Sequence, residues 1–397
     1  MAEKHASVFR SLKYFNARLF FAGLLLSNIG SWLQLTASSL LIYRLTGNAA
    51  DLGYNVAFQF LPMLLFGTWC GALADRHNRR RIAIISQACL AGQALLLGVL
   101  DLSGVISVPM VYALSLLLGI IGAFDNPARR GLVTELVPTV DLPNAMSLNT
   151  AVMTGSRVFG AAIATLLVGP LGTGWLFVLN GVSYAAMIYG IYGLRKSEMY
   201  PPMQRPAGGS PVREVFKYVA GNRRLLTMFL VYVTVSTFSF NFGVALPKLA
   251  DIRWGDERAF GWVMATTGVG NLAGALLTAR LKIVSMRWFV SNIALLGISG
   301  IGLAFAPNVW FAFLWSIPLG IGGAAMIASG NAISQQESPP DMRGRLLALT
   351  AVAFLGSTPI GGPITGLIAD AISPEWSLAY GGLIALVCAA VAVVAWR

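Results

Sequence analysis

The fold is decided by residues 52–81, which read LGYNVAFQFLPMLLFGTWCGALADRHNRRR. Residues 52–74 carry no Asp, Glu, Lys or Arg, and these 23 residues are enough to cross a bilayer core as a helix, which takes about 20 residues. Residues 75–81 then hold one acid and four arginines. An apolar helix followed by a short basic loop is typical of a segment that turns back on the cytoplasmic side of a membrane.

The composition of the whole chain agrees with this segment. Of the 397 residues, 56% are hydrophobic and 11% are charged, against about 45–50% and about 25% in soluble globular proteins. We therefore exclude a soluble protein and expect a polytopic membrane protein. The net charge of +12 does not indicate a nucleic-acid partner, because the basic residues fall in the gaps between apolar runs. The three cysteines lie inside apolar runs without metal-ligand spacing, so neither a disulfide nor a metal site is predicted.

Uncharged runs predict twelve transmembrane helices. Two long runs, 158–194 and 288–336, are expected to break, the first at 169–174 and the second at 306–308, where Gly, Pro and Asn interrupt them. The part before the first break extends back to Asn144 with Arg157 inside it. The remaining runs are 19–43, 52–74, 82–100, 102–124, 225–247, 259–279, 346–369 and 376–396.

The helices are expected to form two six-helix bundles, 1–194 and 225–397. The stretch between them, 195–224, is rich in Pro and Gly and then turns amphipathic, which predicts a cytoplasmic linker with a short surface helix. With the amino terminus in the cytoplasm, 23 Lys and Arg residues face the cytoplasm and 4 face the other side. This asymmetry predicts that both termini are cytoplasmic.

The two halves repeat each other. Pro138 and Gly160 are separated by the same 22 residues as Pro340 and Gly362, and Gly71-Ala72-Leu73 recurs as Gly274-Ala275-Leu276. With six helices on each side of a central loop, these matches predict two homologous bundles with a cavity between them near the middle of the membrane.

Residues 71–80, GALADRHNRR, resemble the cytoplasmic loop signature of the major facilitator superfamily, G-x-L-a-D-r-x-g-R-r, with Asn78 at the second glycine. Asn tolerates positive φ better than most residues, so a tight turn survives that change. Asp75 is in reach of Arg79 one helical turn later. The resemblance implies an all-α fold of twelve helices in two pseudo-symmetric bundles. It also implies a cytoplasmic gate in which Asp75 faces the start of the eleventh helix, near 345–347. The gate candidates are Gly71, Asp75, Arg76, Arg79 and Arg80.

A narrower resemblance covers nearly the whole chain. The stretches 124–130, 135–138, 141–145, 335–345 and 361–363 look like the enterobactin-exporter branch of the superfamily, which also includes macrolide and multidrug efflux proteins. Gly155 and Gly160 are similar to part of the glycine-rich antiporter signature, with Ala161 and Ala164 in place of its Pro and Gly. The branch implies export from the cytoplasm of bacteria across the inner membrane.

Ionisable groups inside the spans are the coupling candidates, because a charge at a helix centre costs about 2.5–3.5 kcal/mol on insertion scales. The candidates are Asp125, Arg129 and Arg157. Arg157 either binds an anionic substrate group or an acid in the cavity, or it has a structural role in an ion pair or a bond to backbone carbonyls. Asp125 either carries protons or pairs statically with Arg79 or Arg129. Asp51 and Asp370 fall at the opposite surface and are predicted to be loop acids. Polar and aromatic residues at mid-membrane positions are the substrate-cavity candidates, with packing as their alternative role: Asn28, Trp32, Gln34, Asn149, Met153, Phe238, Asn241 and Asn271.

The sequence favours a transporter over a membrane sensor or an enzyme. The leading hypothesis is a proton-coupled exporter of a small organic molecule, a drug or a siderophore-like metabolite, which works by alternating access. Its partners are then the lipid bilayer, the substrate and protons. We expect a monomer with the proton gradient as energy source and no cofactor. A symporter or uniporter of the same fold, or a non-transporting membrane sensor, is the alternative. An enzyme is not expected, because no phosphate-binding loop or zinc-protease motif occurs and both histidines lie outside the spans.

Overall fold

The computed structural model describes residues 9–201, 212–256, 258–281, 283–339, 342–355 and 358–396. A few side chains within these ranges, including those of Asp75, Arg343 and Arg345, are outside the described part. The described residues form helices and connecting turns. The α-helices are α1 (Phe15–Thr46), α2 (Ala49–Arg76), α3 (Arg79–Leu102), α4 (Val108–Val133), α5 (Leu142–Tyr192), α6 (Val212–Gly221), α7 (Arg223–Ser239), α8 (Phe242–Trp254), α9 (Ala259–Ala279), α10 (Met286–Ala304), α11 (Val309–Gln336), α12 (Arg343–Leu355), α13 (Thr358–Ala371) and α14 (Pro374–Ala395).

Ten helical stretches within the described residues are long and apolar enough to cross a membrane. One of them, Thr139–Tyr192, is 54 residues long and holds two crossings, because α5 breaks inside it. Helix α2 has 28 residues, and at 1.5 Å per residue it reaches about 42 Å, which is also sufficient. With α2 and the divided α5, these stretches provide the twelve crossings that the sequence predicts.

The two predicted breaks are confirmed. In α5, Gly172 has φ 76° and ψ 174°, a conformation that residues with a Cβ rarely adopt, and it follows Pro170. Before α11, the side chain of Asn308 accepts hydrogen bonds from the backbone N–H groups of Trp310 and Phe311, at 3.1 and 3.2 Å. These contacts satisfy donors that a helix start leaves free.

A further break was not predicted. The sequence run 225–247 was expected to be one helix, but α7 ends at Ser239 and α8 begins at Phe242. The side chain of Asn241 donates to the carbonyl oxygen of Thr237 at 2.6 Å. Non-helical backbone at this depth persists where neighbouring groups satisfy its hydrogen bonds, and a polar amide in the run was the available signal.

Contacts divide the chain into two units, each described separately here. The first comprises Met1–Ser38 and Leu65–Pro206, and the second comprises Ser39–Leu64 and Ala207–Arg397. In the first unit α3 packs against α4 and α5, and in the second α11 packs against α9 and α10 while α14 packs against α7 and α10. The segment 39–64, the end of α1 and the beginning of α2, thus clusters with the carboxyl-terminal helices. The bundle boundaries at 194 and 225 stay a prediction.

The first unit is closed at one end by the segment that precedes α1. The short 3-10 helix Arg10–Lys13 lies on the start of α5. Arg10 and Lys13 form ion pairs with the buried carboxylate of Asp141, the second at 3.0 Å, and the hydroxyl of Tyr14 donates to the same carboxylate at 2.6 Å. The hydrogen bond to Asp141 is the main reason why the pKa of Lys13 is raised above its usual value.

Candidate transport site

The loop that carries the superfamily signature joins α2 to α3. Helix α2 ends at Arg76 and α3 begins at Arg79, and between them the side chain of Asn78 accepts the backbone N–H of Arg81 at 3.0 Å. Asn78 thus acts as the amino-terminal cap of α3. Outside its own helix turn, no atom of the described residues stands within 4 Å of the Cβ position of Gly71. The side chain of Asp75 is outside the described part, so its pairing with Arg79 stays a prediction.

Arg79 has a described partner that the sequence reasoning did not assign. Its Nη1 lies 2.9 Å from Oε1 of Glu135, just after α4, and both side chains are about one-seventh exposed, 14% and 15%. The Arg79 side chain passes over Gly131. A Cβ on Gly131 would stand 2.6 Å from Cδ of Arg79. The only sequence signal for Glu135 was its place in the branch-specific stretch 135–138. Arg76 is exposed, and Arg80 is partly buried.

Asp125 lies in a buried hydrogen-bonded network of the first unit. Its side chain is 1% exposed, and Oδ2 accepts from Nε of Arg129, one turn later on α4, at 2.6 Å. Oδ1 accepts from the side-chain amide of Gln87 on α3 at 2.9 Å, and Gln87 in turn accepts from the Ser27 hydroxyl on α1 at 3.3 Å. Of the two partners named for Asp125, the structure brings Arg129 to it. Gln87 was not anticipated.

A second polar network crosses the first unit nearer its middle. The side chain of Gln34 on α1 donates to Gln93 on α3 at 3.2 Å and accepts from Asn180 on α5 at 2.5 Å. Gln93 donates further to the carbonyl oxygen of Leu114 on α4. Gln34 is 3% exposed, and its partners use both its donor and acceptor groups. Gln34 therefore joins α1 to α3 and α5, and Gln93 extends the network to α4.

Arg157 stacks on an aromatic ring and has no described counter-ion. Its Cζ lies 4.8 Å from the ring centroid of Trp32, within the range of a cation–π contact. Its Nε is buried and finds no hydrogen-bond acceptor among the residues that the structure describes. The ring is held in place by close packing of α1 on α5, since a Cβ at Gly160 would stand 2.5 Å from the Cβ of Trp32. Arg157 is therefore a half-buried cation with unused donor capacity.

Two other candidates of the first unit lie near this pair in the sequence. The Asn28 amide contacts the Met153 sulfur at 3.1 Å, joining α1 to α5. Asn28 is buried, Met153 is 36% exposed, and Asn149, one turn before Met153, is half-buried. These contacts join the same two helices as the Trp32–Arg157 stack.

Two of the three candidates of the second unit line a space too small for a substrate. Phe238 and Asn241 border an internal cavity of about 10 Å³, which is room for roughly one water molecule. Asn241 also packs on α13, where a Cβ at Gly361 would stand 2.6 Å from its amide nitrogen. The side-chain nitrogen of Asn271 on α9 is buried without a hydrogen-bond partner in the described residues.

Asp370 is not the loop acid that the sequence suggested. In the second unit, its two carboxylate oxygens accept the backbone N–H groups of Ala49 and Ala50, at 2.9 and 2.7 Å, and so cap the start of α2. Lys248 on α8 pairs with the same carboxylate at 2.5 Å. We call Asp370, Lys248 and the start of α2 the Asp370 latch. Asp370 is more than 300 residues away from Ala49 and Ala50 in the chain, which explains why a single sequence did not reveal their contact.

A parallel contact lies beside the latch in the same unit. The hydroxyl of Tyr43, near the end of α1, donates to Asp251 on α8 at 2.7 Å. Helices α2 and α13 approach closely there, because Gly53 has no side chain. A Cβ at Gly53 would stand only 2.5 Å from the carbonyl oxygen of Gly362. Small residues at such crossings let helix backbones meet in a membrane.

Comparison with known proteins agrees with these features. Residues 6–397 match the family described as transmembrane secretion effectors. The chain belongs to this family. It is a multi-pass membrane transporter of the major facilitator superfamily and not an enzyme. The bilayer and a small-molecule substrate are accordingly its partners.

Individual relatives are distant but nearly full-length. The chain is 25% identical over 392 residues to macrolide efflux protein A of Streptococcus pyogenes, covering 95% of this chain and 96% of that one. It is 22% identical over 360 residues to the staphyloferrin A transporter of Staphylococcus aureus, covering 89% of each. The crystal structure of a D-xylose-proton symporter aligns with a TM-score of 0.73 at 15% identity, covering 98% of both chains. The last similarity shows the major facilitator fold.

Proposed function

We propose that this transporter exports a small organic molecule, a drug or a siderophore-like metabolite, from the bacterial cytoplasm in exchange for protons. Export is supported by the similarity to macrolide efflux and staphyloferrin transporters. The cytoplasmic location of both termini is supported by the 23 basic residues on one side of the membrane against 4 on the other.

The observation that carries the proposal is the state of Arg157. A guanidinium remains charged in proteins, and Arg157 lies in a span where charge is costly without a counter-ion among the described residues. Trp32 holds its guanidinium plane and leaves other donors free for a ligand. Arginine binds carboxylates bidentately, so Arg157 offers a place for an anionic group of the substrate. Asn28 and Met153 supply further contacts on the same two helices.

Proton coupling is assigned to Asp125. Its carboxylate is buried, and both oxygens are hydrogen-bonded while it is ionised. Protonation would remove the charge that holds Arg129 and would free the Gln87 amide, which changes the contacts among α1, α3 and α4. A buried carboxylate with alternative partners of this kind can link proton uptake to a rearrangement of helices.

We assign two gates, one on each side of the membrane. The cytoplasmic gate uses the signature loop with Asp75 and Arg79, supported by the fixed Arg79–Glu135 pair. The Asp370 latch joins the start of α2, in the predicted first bundle, to α8 and α13 in the predicted second bundle. We assign it to the gate on the far side of the membrane. Alternating access then requires that the latch open when the cytoplasmic gate closes.

Reconstitution in liposomes tests the proposal. Counterflow and net flux of labelled macrolides and carboxylate siderophores would be measured with and without an imposed pH gradient. We expect the flux of at least one compound to accelerate when the proton concentration is higher on the side to which the substrate is moved. Flux that is indifferent to pH would indicate a uniporter, and the opposite dependence a symporter. No flux of any compound would favour a sensor, and each of these results contradicts proton-coupled export.

A further inference from the structure

A second basic site lies at the end of the first unit, beside the signature loop and away from Arg157. A cavity of about 400 Å³ opens there between the α2–α3 loop, the end of α4 and the segment after α5. We call it the Arg80 pocket. Its lining residues are His77, Asn78, Arg79, Arg80, Glu135, Lys196 and Met199. The volume is in the range of small-ligand pockets.

The charges of the Arg80 pocket do not balance. Glu135 is already paired with Arg79 at 2.9 Å. Lys196 is exposed and makes no ion pair with described residues, because the nearby acid Glu198 is taken by Arg195 at 2.8 Å. Among the described side chains, no acid balances the charges of Arg80 and Lys196, which lie at the positive end of the α3 dipole.

Arg80 also has an unused donor. Its Nη2 donates to the carbonyl oxygen of Tyr192 at 2.5 Å, which fixes the side chain against the end of α5. Its Nη1 is buried and has no partner among the described residues. A buried guanidinium nitrogen without an acceptor is costly, and a tetrahedral anion with several oxygens would satisfy it together with Lys196.

The surroundings of the pocket are those of a membrane interface. Tyr189 and Tyr192, at the end of α5, are 69% and 75% exposed, and aromatic side chains of this kind gather at the level of lipid headgroups. Helix α3 shows an exposed apolar stripe that starts one turn beyond Arg81, at Ile85, and continues through Leu96 and Val99 at helical spacing. Helix α3 therefore offers an apolar surface for lipid chains that begins one turn after the residues of the pocket.

We propose that the Arg80 pocket binds the phosphate group of an anionic membrane lipid. The phosphate oxygens accept from Nη1 of Arg80 and from Lys196, while the acyl chains lie against the exposed stripe of α3. Basic pockets between transmembrane helices on the cytoplasmic side bind anionic headgroups elsewhere in the same way. Such a lipid would tie the α2–α3 loop to the segment that leads into the linker.

Thermal unfolding of the full-length protein in detergent tests this site. Phosphatidylglycerol and phosphatidylcholine would be titrated in mixed micelles, with inorganic phosphate as a third arm. We expect phosphatidylglycerol alone to raise the unfolding temperature, since a ligand that binds the folded state stabilises it by mass action. Arg80→Gln and Lys196→Gln should each raise the half-saturating lipid concentration roughly tenfold, which corresponds to about 1.4 kcal/mol.

Arg287→Gln is the matched control, because Arg287 also follows the start of a helix on the predicted cytoplasmic side, is exposed, and lines neither the pocket nor the stripe of α3. It should leave the half-saturating concentration within about twofold of wild type, the difference expected without loss of a direct contact. Lys196→Gln guards against misfolding of the Arg80 variant, because Lys196 is exposed. Equal loss in all three variants would indicate general charge attraction and overturn the site. An equal shift with inorganic phosphate would overturn the lipid as its source.

Discussion

The two units of the molecule bury different kinds of polar group. The first contains an ion pair, Asp125 with Arg129, and the cation of Arg157 inside its spans. Among the described residues of the second unit that follow residue 224, no Asp, Glu, Lys or Arg side chain is buried. Its buried polar side chains there are amides and hydroxyls, such as Asn241 and Asn271. The difference indicates that the repeat has kept its helices while charge within the membrane is confined to one half.

Glycines show what the halves share. Gly160 lets α5 meet α1, because its Cβ position is 2.7 Å from the carbonyl oxygen of Ile29. Gly361 brings α13 against α7 in the second unit in a comparable way, and a Cβ there would overlap the carbonyl oxygen of Thr237. The sequence repeat aligned Gly160 with Gly362, one residue later, and Gly362 instead approaches α2. Helix crossings are thus retained at glycines even where the polar chemistry differs.

The largest expected effect breaks the ion pair of the first unit. We expect Asp125→Asn to lower the free energy of unfolding by about 3–5 kcal/mol, because Arg129 is left largely buried without its carboxylate. The unfolding temperature in detergent should fall by roughly 5–10 °C. The double variant Asp125→Asn with Arg129→Gln should recover most of this loss. Wild-type stability of the single variant would show that the pair contributes little.

The next effect concerns the cation of the same unit. Arg157→Gln should raise the KM of an anionic substrate about 10- to 30-fold, which corresponds to about 1.4–2 kcal/mol, because a charge-assisted hydrogen bond is lost. Arg157→Lys keeps the charge but not the planar stack on Trp32, so its KM should lie in between. Transport in liposomes measures both values. An unchanged KM in the Gln variant would reduce Arg157 to a structural residue.

A smaller effect tests the surface charges of the second unit. Asp370→Asn should weaken the Asp370 latch by about 1–2 kcal/mol, since it loses the charge that pairs with Lys248 and caps α2. An Ala49→Cys reporter, in a background in which Cys70, Cys89 and Cys388 are replaced by Ser, should then react about 5 to 30 times faster with a membrane-impermeant maleimide.

The matched control for the latch is Asp101→Asn. Asp101 lies at the predicted same surface, but it is in the first unit and accepts a hydrogen bond from Thr173 at 2.6 Å. Its substitution should leave the reaction rate of the reporter unchanged. If both variants accelerate labelling equally, the effect is one of surface charge and the latch has no special role.

The smallest effect is expected for an uncharged hydrogen bond of the second unit. Asn241→Ala removes a hydrogen bond between uncharged groups, from the side chain to the carbonyl oxygen of Thr237. It should lower the free energy of unfolding by about 1 kcal/mol, well below the loss in Asp125→Asn. Measured side by side in detergent, equal losses for the two variants would erase the distinction between the charged and the neutral interior.

The sequence predicted the spans and their breaks because bilayer thickness and backbone hydrogen bonding leave few alternatives. It also identified Asp125 and Arg157, since charge inside a span is rare. It did not reveal that Arg79 pairs with Glu135 or that Asp370 caps α2, because both contacts join segments distant in the chain. The break between α7 and α8 was missed for another reason. Asn241 supports it, and the only helix breaker nearby, Gly243, is a single residue of the kind that membrane helices commonly contain.

Simultaneous measurement of proton and substrate flux in liposomes tests the central proposal, that charge in the first unit couples protons to export. An internal pH dye and a labelled anionic substrate would be followed together in wild type, Asp125→Asn and Asn241→Ala. We predict that wild type and Asn241→Ala move protons against substrate, and that Asp125→Asn moves substrate in counterflow without proton movement. Proton movement that persists in Asp125→Asn, or that is lost in Asn241→Ala as well, would contradict the account.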